Sequence, residues 1–126
     1  MKSRELPADV RRFILTSVPT VPFLEAVLLL RAEPARSWDA PLLARRLYVP
    51  ERTAQELLAQ LAASGVTAPG EGEAGVRFAP REDLGDLLDR LAAAYAADLV
   101  AVTDLIHSRI DKRAQQFADA FRFRKE

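Results

Sequence analysis

His107 is the only histidine in the chain, and there is no cysteine. Disulfides, thiolate zinc sites and cysteine nucleophiles are therefore excluded, and a metal site would rest on carboxylates alone. Ser17, Ser37, Ser64 and Ser108 have no base partner except His107, which makes a poor triad. His107 itself, beside Ser108 and Arg109, reads as a solvated or interface side chain. Asp83, Asp86 and Asp89-Arg90 read as the solvated face of a helix, not as paired acid and base. Pro69 to Gly75 carries three glycines, but it lacks the lysine and following helix of a phosphate loop. These residues predict no enzyme, no cofactor and no metal. Chemistry of recognition is better represented. Phe117, Phe121 and Phe123 stand among Arg122, Arg124 and Lys125, so half of the six phenylalanines lie in the last ten residues. One reading docks these rings on a dimer core or on the first helix. The other offers them as an amphipathic peptide to a protein groove, an RNA or a membrane surface.

The elements that must position such residues are legible from spacing. Val10, Phe13 and Ile14 give one apolar helical face between Pro7 and about Val18. Thr20 reads as the N-cap of a helix from Val21 to Ala32, with Pro22 in its first turn. That helix is apolar nearly all round and is expected at the centre of the fold. Asp39 reads as the N-cap of a short helix from Ala40 to Arg46, with Leu42, Leu43 and Leu47 inward. Tyr48-Val49-Pro50 is a turn. A further helix runs from Pro50 or Glu51 to Ala63 with Ala54, Leu57, Leu58 and Leu61 inward, and Gly65 closes it in the left-handed conformation. Val66–Ala68 and Val76–Ala79 read as a β-hairpin with a loose tip. Trp38 is expected to pack over the base of that hairpin; a place in a ligand pocket is the alternative.

After Arg81-Glu82-Asp83 the apolar positions Leu84, Leu88, Leu91, Tyr95, Leu99, Val102, Ile106 and Ile110 recur at a mean spacing of about 3.7 residues. This predicts one long, straight helix. Because alanines and valines occupy its other faces, a single small domain would leave much of it bare. A homodimer is expected, with Leu91, Tyr95, Leu99, Val102 and Ile106 at its interface. The alternative is a helix rich in alanine for its propensity alone.

Asp39 to Val49-Pro50, followed by Thr53 to Val66 and then the hairpin, resembles a winged helix-turn-helix domain of the kind found in bacterial MarR-like regulators. The resemblance implies a mainly α fold: a two-stranded β-hairpin wing, a winged-helix unit over residues 1–80, and a long C-terminal dimerisation helix with an aromatic, basic tail over 81–126. It implies DNA as partner, with the second helix of the motif in the major groove. Carried onto this chain, the groove-facing residues are Glu51, Arg52, Thr53, Gln55, Glu56 and Gln60, and the wing residues are Glu71, Glu73 and Arg77. Arg45 and Arg46 either complement the end of the preceding helix or meet the phosphate backbone.

Charge departs from that pattern. The chain of 126 residues has 18 basic and 18 acidic residues and no net charge. Residues 1–50 carry +3, residues 51–79 carry −2, residues 80–106 carry −4 and residues 107–126 carry +3. Phosphate contacts supply most non-specific affinity and require Lys and Arg. Two functions therefore stand open: a DNA-binding transcriptional regulator, and a winged-helix protein-interaction module using its acidic motif helix or its aromatic tail. With 49% apolar and 29% charged residues the composition is that of an ordinary globular domain. No secretory signal and no span of roughly 20 apolar residues is visible, so a cytoplasmic protein without membrane contact is expected.

Overall fold

A computed structural model describes residues 6–70 and 75–108. Helix α1 (Ala8–Ser17) and helix α2 (Val21–Ala32) meet at an angle of 120° across Pro19. Thr20 caps α2 as expected, its side chain accepting from the Phe23 amide at 3.2 Å. Phe23, Leu24, Val27 and Leu30 of α2 are fully buried, each worth about 1.5–3 kcal/mol relative to an exposed side chain. Val10, Phe13 and Ile14 of α1 join them in one apolar cluster. The central position expected for α2 is thus observed.

Asp39 caps α3 (Ala40–Leu47), accepting from the Leu42 amide at 3.0 Å. Tyr48 follows in the left-handed conformation, φ 59° and ψ 46°. Helix α4 (Glu51–Ala63) opens at Pro50 and packs along α3 and α2. Ala54, Leu57 and Leu61 are its buried face. Gly65 has φ +81°, the left-handed conformation that favours glycine at this turn.

The chain then forms β1 (Thr67–Pro69) and β2 (Val76–Phe78), antiparallel, with Ala68 opposite Arg77. Trp38 adds a third extended segment on the far side of β2. Its amide donates to the Val76 carbonyl at 2.7 Å, and its carbonyl accepts from the Val76 amide at 2.9 Å. This bridge falls beside the Pro69–Val76 pair, at the tip side of the hairpin and not at its base.

The long C-terminal helix expected from periodicity is not formed. Helix α5 (Leu84–Ala97) ends at Asp98, and α6 (Leu99–Ser108) leaves it at 109°. Asp98 has φ −151° and accepts from the Ala101 amide at 3.1 Å, so it is the N-cap of a new helix. The fold-back sends Val102 and Ile106 into the same apolar cluster that holds Leu88 and Leu91. Leu91, Val102 and Ile106, expected at a dimer interface, are fully buried within one chain. Tyr95 is half-buried, Leu99 is exposed, and Ile110 lies outside the described residues. The architecture among the described residues is six helices and a two-stranded antiparallel sheet. Among them no single helix is long and apolar enough to cross a membrane.

Asp98→Ala removes the cap and is expected to lower stability by about 1 kcal/mol. Urea denaturation followed by circular dichroism measures it, and an unchanged midpoint would contradict the capping role.

Candidate nucleic-acid interface

The residues singled out by sequence lie on the end of α3 and the exposed side of α4, which pack together, and on strand β2, which reaches α4 through β1. Arg45, Arg52, Gln55, Gln60 and Arg77 are exposed, and Thr53 is half-buried. Arg45, Arg52 and Arg77 make no ion pair among the described residues. The side opposite to Ala54, Leu57 and Leu61 therefore presents uncommitted polar groups, as an amphipathic helix held by one face must. Arg52 and Gln60 are eight residues apart, about 12 Å along the helix axis. Gln60 also lines a cleft of about 550 Å³ with Phe13, Ser17 and Leu84. It stands at the α1–α5 end of the surface, away from the turn.

Arg46 is committed elsewhere. Its guanidinium donates to Glu33 Oε2 at 2.5 Å, while Arg36 Nε donates to Glu33 Oε1 at 2.5 Å. The two guanidinium groups lie 5.4 Å and 5.8 Å from the centroid of the Trp38 ring. Both distances are within cation–π range. Hydrogen bonding to Arg46, then to Arg36, holds the Glu33 carboxyl below its ordinary value of 4.5. The same bond holds Arg46 protonated more firmly. Of the two adjacent arginines, only Arg45 is free for an outside partner.

Glu51 and Glu56 are exposed on α4 and have no ion pair among the described residues. The negative charge read in this region therefore persists at the surface. Glu71 and Glu73 lie outside the described residues, as do Phe117, Phe121 and Phe123. His107 is exposed. No group of three or more His, Asp or Glu able to hold a metal exists among the described residues.

Sequence reasoning passed over Tyr48 as a turn residue. It is 93% exposed and stands between α3 and α4, with Arg45 before it and Arg52 after it. The signal available was an aromatic residue at a helix-to-helix corner, where glycine or asparagine is usual. Compared with family profiles, characterised proteins and solved structures, the chain matches none.

The Glu33 clasp has a pH signature. A carboxylate whose folded pKa is depressed stabilises above its unfolded value, and that contribution disappears as pH falls through the folded value. Glu33→Gln is expected to lower Tm at pH 7, and the gap from wild type should close as pH drops below 4.5. Thermal melts across this range check it; a gap constant with pH would show that the charge of Glu33 is not what matters.

Proposed function

We propose that this chain is a non-catalytic winged-helix protein that binds duplex DNA and serves as a transcriptional regulator. The observation that carries the reading is the order of its central elements: helix α2, bridge strand, helix α3, tight turn, helix α4, hairpin. That order sets α4 beside a two-stranded hairpin, with Arg45 on α3, Arg52 on α4 and Arg77 on β2 free of ion pairs among the described residues. In such an arrangement α4 enters the major groove, Gln55 and Thr53 meet base edges, and the arginines meet phosphates. Fold-level likeness supplies part of this reading, as analogy.

Exposed Glu51 and Glu56 favour a second reading, a winged-helix module that grips another protein through α4. The two differ in their response to salt. A protein using three phosphate contacts should show a log–log salt slope of about −3 on a random duplex. Arg52→Ala or Arg77→Ala should each lower affinity and reduce that slope by about 1. Fluorescence anisotropy measures both. Absence of duplex binding at low salt would leave the protein-interaction reading.

A homodimer also belongs to this proposal, with its interface moved. Leu91, Val102 and Ile106 are occupied by the core, so the apolar surface left at the α5–α6 corner is Leu99 and Val100, 51% and 62% exposed. Leu99→Asp, tested by sedimentation velocity, is expected to shift the chain towards monomer. An unshifted dimer would exclude this corner.

A further inference from the structure

Tyr48 combines two unfavourable features at one position. Its backbone is left-handed, a conformation that L side chains other than asparagine and aspartate rarely adopt. Its ring is 93% exposed and so gains almost nothing from burial. Glycine would relieve the first and remove the second. The corner does not need the side chain to form, because the amides of Tyr48 and Val49 both reach the Ala44 carbonyl, the latter at 3.1 Å. A residue that costs stability without packing is best explained by what it touches outside the molecule.

The neighbourhood indicates what that is. Arg45 precedes Tyr48 by three residues and Arg52 follows by four; both are exposed, and neither has an ion pair among the described residues. An exposed phenol flanked in sequence by two uncommitted arginines suits a polyanion with sugar faces. We propose that Tyr48 anchors the duplex backbone, its hydroxyl donating to a phosphate oxygen and its ring lying on the adjoining deoxyribose. The proposal rests on the DNA-binding reading and deepens it. It places the first contact at the α3–α4 corner, where Arg45 and Arg52 flank the ring in sequence and Glu51 stands beside Arg52, so an uncharged hydroxyl donor meets the phosphate there without adding to the mixed charge.

The test uses the full chain and a fluorescent random-sequence duplex. Tyr48→Gly is expected to weaken binding more than about tenfold, because it loses both the hydrogen bond to a charged group, typically worth about tenfold by itself, and the ring contact. The salt slope should stay unchanged, because tyrosine releases no counterion. The Tm should be equal to wild type or a few degrees higher, because the left-handed strain is gone. Tyr48→Phe keeps the ring, loses the hydroxyl and should fall between. Undiminished affinity in Tyr48→Gly, with wild type binding normally, would overturn the anchor, leave the DNA reading intact and turn the residue towards a protein partner. A lowered Tm in Tyr48→Gly would make Tyr48 a structural residue and overturn the anchor. Wild-type affinity in Tyr48→Phe would overturn the phosphate contact. A wild-type chain that binds no duplex would overturn the anchor and the DNA reading together.

Discussion

The placement of every candidate contact depends on how Trp38 is held. Its backbone closes two hydrogen bonds with Val76, which fixes the hairpin to the segment between α2 and α3. Its ring is fully buried, with guanidinium groups from Arg36 and Arg46 lying against it. Glu33, just after α2, gathers both guanidinium groups. One indole thus joins the end of α2, the bridge strand, the end of α3 and strand β2. The α4 helix is packed between α3 and β1, so its angle to the hairpin follows from this junction. Buried Trp38 Nε1 has no hydrogen-bond partner among the described residues, an arrangement that costs about 1–3 kcal/mol. That loss is offset by apolar burial of the largest side chain in the core.

Holding the junction uses up cationic charge. Arg36 and Arg46 balance Glu33, and Arg31 pairs with Asp89 at 2.9 Å while Arg90 pairs with Asp9. The latter two pairs tie α5 to α2 and α1. What remains for an outside anion on the central elements is Arg45, Arg52 and Arg77. A duplex-binding surface built on three guanidinium groups, with Glu51 and Glu56 among them, has little general attraction for phosphate. The affinity of such a surface would rest on geometry and short-range contacts, and the proposed uncharged donor at the α3–α4 corner would then count for more than on a strongly basic surface.

The starts of α2 and α3 and the end of α4 were legible because they carry local chemistry. Thr20 and Asp39 accept from amides three residues on, Pro22 and Pro41 fit first turns, and Gly65 supplies a left-handed turn. These are local effects, readable one residue at a time. The commitment of Arg46 was not legible, since Glu33 lies 13 residues away and the pair meets only through the fold. The exposure of Tyr48 was likewise hidden: the same turn could have folded its ring inward.

Asp98 shows why periodicity misled. The apolar row from Leu84 to Ile106 keeps helical phase through it, because an N-cap is polar and so is the outer face of a continuous helix. A straight helix would have carried Val102 and Ile106 at least about 15 Å beyond Leu91 by rise alone. Bending by 109° at Asp98 returns them to the core, and the burial of two branched side chains outweighs the lost helical hydrogen bonds at the break. The reasoning that a bare helix demands a second chain assumed that only another chain could cover it. Here the chain covers its own helix. At the corner that the bend creates, Leu99 and Val100 stay exposed while Val102 and Ile106 are turned into the core.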